Sequence, residues 1–196
     1  CLLDPPDDGS PPEVVLPAPI WVSYAPLITL AGGRVREVAT SPETGFRMTP
    51  DQLREAITPR TRIVVLCSPS NPCGTMYGEA EVREIAGVVA EAAASTSPDI
   101  IIITDEIYEK IVYGDTPHFS IGSIPEVAER TITLNGVSKA YAMTGWRAGY
   151  AAMPGEFGKS YIKAMGTLQG QMTTNITSFV YPAIRTAILE CGAEVE

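Results

Sequence analysis

The chain has 196 residues, 45% hydrophobic and 19% charged, with a net charge of −9. This balance suits one globular domain with a real core and excludes a broad nucleic-acid surface, which needs clustered cations. No apolar run reaches the ~18 residues of a membrane span, and Cys1-Leu2-Leu3-Asp4-Pro5 lacks the basic and apolar regions of a secretory signal.

Cys1, Cys67, Cys73 and Cys191 form no CxxC pair, and His118 is the single histidine. Reduced thiols in an intracellular protein are expected, and no zinc site. The chain has no initiator Met and opens as if partway into a buried element, so it is expected to be a piece of a longer protein.

In chain order, residues 4–13 form a polar, Pro-rich loop and Val14–Pro17 a short buried strand. Residues 22–31 suit a short helix stopped by Gly32-Gly33. Val35 to Val38 alternates apolar and charged residues, as an edge strand does. Thr49 before Pro50 marks a helix start. Three apolar runs, 63–66, 100–103 and 131–134, are rich in β-branched residues and too short for helices. Strands buried on both faces have this composition, and they belong to parallel sheets covered by helices. A helix over 79–94 lies between the first two, with Val82, Ile85, Ala86, Val89 and Ala93 at helical spacing. A further strand is predicted at 148–153, and helices at 156–168 and 173–190. His118, in Asp115-Thr116-Pro117-His118, is expected at the surface. The alternation of strand and helix predicts an α/β doubly wound domain.

In such sheets ligands bind beyond the carboxyl ends of the strands. The unusual residues fall there. Strand 63–67 runs into Ser68-Pro69-Ser70-Asn71-Pro72-Cys73-Gly74, and strand 100–104 ends in Asp105-Glu106-Ile107-Tyr108. Strand 131–134 leads to Ser138-Lys139, followed by Thr144-Gly145-Trp146-Arg147. Taken singly, each residue has a plainer explanation: Lys139 as a solvated charge, Asp105 as a helix cap, Asn71-Pro72-Cys73-Gly74 as a turn, Trp21 as core. Jointly they supply what pyridoxal phosphate chemistry requires. The list is an amine for a Schiff base, an acid for the pyridine nitrogen, donors for the phenolic oxygen, a cation for phosphate and an aromatic ring for the cofactor face.

These blocks, with Pro19-Ile20-Trp21-Val22-Ser23-Tyr24 and the stretch Ser138-Lys139-Ala140-Tyr141-Ala142-Met143-Thr144-Gly145-Trp146-Arg147, resemble the signatures of fold-type I, class I/II aminotransferases. The resemblance runs from about residue 14 to 190. It is strongest to the prokaryotic-type aspartate and aspartate/prephenate enzymes. It implies a three-layer α/β/α domain with a mostly parallel sheet, a partial large domain whose small-domain parts are absent. Pyridoxal 5′-phosphate is the implied cofactor. An amino acid, aspartate or glutamate, and a 2-oxo acid are the implied substrates. Lys139 would hold the cofactor and act as base and acid. Asp105 would pair with the pyridine nitrogen, with Tyr24 behind it. Tyr108 and Asn71 would bond the phenolic oxygen, Arg147 and Ser138 the phosphate, and Trp21 would stack on the ring. Many relatives carry serine where this chain has Gly136. No Gly-rich phosphate turn precedes residue 14 and no substrate-carboxylate arginine follows, so the isolated chain is expected to be inactive. A homodimer in cytoplasm or plastid is expected of the parent. A carbon–sulfur lyase and a non-catalytic fragment are the competing expectations.

Overall fold

The computed structural model describes residues 9–195. Cys1 and the first half of the predicted 4–13 loop lie outside these residues; positions 9–12 are irregular. The strands are β1 (Glu13–Ala18), β2 (Arg34–Ala39), β3 (Thr61–Cys67), β4 (Ile101–Asp105), β5 (Thr131–Gly136) and β6 (Gly149–Ala152). They form one sheet in the order β2-β1-β3-β4-β5-β6. The first five strands are parallel, and β6 runs antiparallel to β5.

Side chains alternate across each strand, and both sets are apolar. Val15, Val64, Leu66, Ile100 and Ile102 face one core. It is closed by α2 (Pro50–Ala56), α3 (Glu79–Ser95) and α4 (Pro125–Ala128). Val14, Leu16, Ile63, Val65, Ile101 and Ile132 face the other core, closed by α1 (Tyr24–Leu30) and α5 (Gly155–Met172). The result is the expected three-layer α/β/α arrangement, with a mostly parallel sheet. The apolar runs at 63–66, 100–103 and 131–134 fall on β3, β4 and β5, and Val35–Val38 lies on the edge strand β2.

The helix ends follow their local chemistry. Gly33 N–H donates to the Ile28 carbonyl and Gly32 N–H to that of Thr29, while Gly32 takes the left-handed φ of 84° that stops α1. Thr49 Oγ1 accepts from Gln52 N–H, and Gln52 Oε1 accepts from Thr49 N–H, which closes the start of α2 on both sides.

Two expectations change. The predicted helix 173–190 is α6 (Val180–Glu190), while α5 extends to Met172. Thr174 has a φ of 69°, and Asn175 Oδ1 accepts from Ile176 N–H and Tyr181 Oη, so local side-chain bonding replaces a helical turn. His118 is not a surface residue. Its side chain is only 12% exposed, because it folds back against Glu106.

Among the described residues, no helix is long and apolar enough to cross a membrane. Leu30 on α1, Leu168 and Met172 on α5, and Phe179 and Leu189 beside and on α6 are exposed.

Glu13, at the start of β1, is buried and accepts from Thr58 Oγ1 at 2.7 Å and Arg60 Nη2 at 2.9 Å. Burial pushes its carboxyl up. The bonds from Thr58 and Arg60, with the charges of Arg60 and Arg36, outweigh burial and hold it below the usual range. Stability from this group is therefore present above the ordinary carboxylate range and lost as pH falls through the lowered value. Urea unfolding between about pH 6 and pH 3 should show a steeper acid loss for the wild type than for Glu13→Gln.

Candidate functional site

The chain leaves β1 through α1 on one face and β3 through α3 on the other, although β1 and β3 are neighbours. This is a topological switch point, where the crossing loops part and leave a crevice at the strand ends. A cavity of about 330 Å³ opens along that rim, lined by Trp21, Cys67, Asn71, Asp105, Ile107, Tyr108, Leu134, Asn135, Ser138, Lys139, Thr144 and Arg147. Seven of the eight residues given roles from the sequence line it, and the eighth, Tyr24, reaches Asp105 from behind.

Asp105 is the best anchored of them. Tyr24 Oη donates to its Oδ2 at 2.5 Å, and Ile107 N–H to its Oδ1 at 3.2 Å. Burial, then the Asp105 charge, push the Tyr24 phenol far above its usual value, so it stays protonated and donating. Trp21 packs edge-on against Tyr24, with ring centroids 5.3 Å apart. Asn71 Nδ2 donates to Tyr108 Oη at 3.5 Å, a long bond that brings both polar groups to one wall. Lys139 Nζ lies 5.8 Å from the centroid of the Tyr108 ring, on an exposed side chain.

The segment after Lys139 is shaped by its backbone. Thr144 Oγ1 donates to the Ser138 carbonyl at 2.8 Å. Arg147 Nη1 donates to the Thr144 carbonyl at 2.9 Å. Arg147 holds a left-handed φ of 54°, a conformation that costs a non-glycine residue on the order of 1–3 kcal/mol. Val180 and Ile184 of α6 pack under this segment with Val137, Tyr141, Met143 and Ala148. At Gly136 a Cβ would stand 2.8 Å from the Ala148 carbonyl oxygen and 3.0 Å from Gly149 Cα, so the β5–β6 contact leaves no room for a side chain.

Cys67, Asn135 and Thr144 were not singled out beforehand. Cys67 ends β3, and its place at a strand end was the signal that could have found it. Burial, then the charge of Asp105, push its thiol up to about 12, which keeps it neutral. Gln169 and Asn175 line an adjoining cavity of about 720 Å³ that shares Arg147 with the first.

The profile of aminotransferase class I and II matches residues 9–195. The chain belongs to this family. It is 46% identical over 177 residues to an aspartate/prephenate aminotransferase of Cereibacter sphaeroides, covering 90% of this chain and 42% of that protein. It is 44% identical over 180 residues to an aspartate aminotransferase of Geobacillus stearothermophilus, covering 91% of this chain and 43% of the relative. The crystal structure of the aspartate aminotransferase from Rhizobium meliloti matches 98% of the chain with a TM-score of 0.88 at 38% identity, over 45% of its own length. The chain thus spans less than half the length of these aminotransferases.

Tyr24 is buried and bonded to a carboxylate. Tyr24→Phe should lower stability by about 1.5–3 kcal/mol, the usual worth of a bond to a charged group. Urea midpoints measured at constant m-value check this.

Proposed function

We propose that the protein to which this chain belongs is a pyridoxal-phosphate-dependent aminotransferase. It would pass an amino group between an amino acid, aspartate or glutamate, and a 2-oxo acid. The observation that carries this reading is the convergence of Lys139, Asp105, Asn71, Tyr108 and Arg147 on one cavity at the sheet's switch point. Family membership and the named aspartate aminotransferase relatives support it.

The donor set fits the cofactor, residue by residue. Lys139 offers an amine, Asp105 a carboxylate already held by two donors, Asn71 and Tyr108 an amide and a phenol, and Arg147 a planar guanidinium suited to phosphate. When bound, pyridoxal phosphate supplies an electron sink that lets the substrate's α-carbon give up a proton.

The chain's own side chains do the rest. Lys139 would hold the cofactor, and its amine, once free, would serve as the base and acid that takes the proton from the substrate α-carbon and gives it back. Asp105 would keep the pyridine nitrogen protonated, with Tyr24 fixing which way that carboxylate points. Asn71 and Tyr108 would donate to the phenolic oxygen. Arg147 and Ser138 would hold the phosphate, and Trp21 would cover one face of the ring and limit water there. No observation favours carbon–sulfur lyase chemistry.

The chain corresponds to part of the large domain. Substrate-carboxylate recognition would come from the rest of the protein. The exposed Leu168, Met172, Phe179 and Leu189 offer an apolar surface against which that remainder, or a second copy in a homodimer, would pack.

Purified chain mixed with pyridoxal phosphate should develop a visible absorption band that Lys139→Ala abolishes. In the full-length protein the same substitution should slow a single turnover from aspartate by ~10²–10⁴-fold. No band with the wild-type chain would overturn the cofactor assignment.

A further inference from the structure

The turn that presents Asp105 and Tyr108 to the cavity is fastened from the opposite side of the sheet. Asp105 and Glu106 follow one another at the end of β4, so their side chains leave on opposite faces. Asp105 points to the cavity. Glu106 points into the α3 side and is 3% exposed. Its Oε1 accepts from Ser120 Oγ at 2.7 Å and from Thr104 Oγ1 at 3.1 Å. Its Oε2 lies 3.9 Å from His118 Nε2. That nitrogen is buried and has no hydrogen-bond partner. The free space beside it, bounded by Leu66, Tyr77, Thr104 and Phe119, is about 10 Å³, at the lower limit for one water. Glu106 is thus the polar group placed to satisfy His118.

Backbone bonds tie this pair to the turn. Glu106 N–H donates to the Leu134 carbonyl on β5, Glu109 N–H to that of Glu106, and Ile111 N–H to that of Tyr108. From Tyr113 to Pro117 the chain is exposed, and it re-enters the structure at His118. Glu109 also lies close, with one oxygen in a cluster with Glu106 and His118 whose atoms are all within 4.8 Å of one another. Burial, with the charge of Glu109, holds the Glu106 carboxyl above the usual range, and the Ser120 bond, the His118 charge and the Thr104 bond offset only part of that rise.

We propose that Glu106 and His118 are positioning residues, a buried latch that clamps the returning 118–120 segment to the end of β4 and thereby fixes the turn carrying Asp105 and Tyr108. The consequence for cofactor binding rests on the function proposed above; the consequence for the turn does not.

The test compares His118→Leu, His118→Gln and Glu106→Gln in the purified chain. Amide hydrogen exchange without cofactor should be on the order of tenfold faster at Glu109 and Ile111 in His118→Leu, with β3 and α3 unchanged. The Kd for pyridoxal phosphate, read from the visible band, should rise about tenfold. His118→Gln keeps a donor toward Glu106 and should restore both readouts. Exchange that is unchanged, or faster evenly across the chain, would overturn the latch, as would failure of His118→Gln to rescue. Should His118→Leu not fold, Glu106→Gln carries the same comparison: selective loss at Glu109 and Ile111 supports the latch, and its absence overturns it. A wild-type chain that binds no pyridoxal phosphate overturns the proposed function, while the exchange experiment still decides the latch.

Discussion

Everything at the rim depends on the register of three parallel strands. Cys67 of β3 pairs with Asp105 of β4, and Asp105 pairs with Leu134 of β5. This alignment sets three strand ends side by side, so the loops that follow open onto one cavity. A slip of one residue in β4 would exchange the faces of Asp105 and Glu106. A carboxylate that Tyr24 holds at the cavity would then be driven into an apolar layer. The slip is opposed on both sides of the sheet, since Asp105 is bonded to Tyr24 and the Ile107 N–H on one face and Glu106 to Ser120 and Thr104 on the other.

The lysine segment is held differently. Beyond β5 the chain leaves regular structure, and Lys139 itself is exposed. Its position comes from the close β5–β6 approach at Gly136, the Thr144 bond to the Ser138 carbonyl, and the apolar pad of α6 beneath. The rim therefore combines a rigid half, with Asp105 at its centre, and a half held mainly by backbone geometry. Such a division suits the proposed roles, in which the Asp105 carboxylate would stay fixed while the Lys139 amine moves.

Much of this was legible beforehand. Continuous apolar runs, rich in β-branched residues and too short for helices, marked β3, β4 and β5, because a strand covered on both sides must be apolar throughout. The stop at Gly32-Gly33 and the start at Thr49-Pro50 were legible because capping is settled by a few neighbouring residues. His118 was not. In sequence it sits among Asp115, Thr116 and Pro117, all surface types, and its only indication of burial is Glu106, twelve residues away across the exposed segment. The late start of α6 was missed for a related reason: the Asn175 side chain competes with the helix through bonds that a periodicity count does not register.

The sequence by itself determined the α/β class, the chain order of its elements, and which residue types stand at the strand ends, since composition and local capping act over a few residues. The tertiary structure decided the rest. Strand order put β1 beside β3 and opened the crevice, the β5–β6 contact reserved Gly136 for glycine, and packing carried Tyr24 to Asp105 from 81 residues away. These are long-range contacts, and which partners meet depends on how the layers close over the sheet.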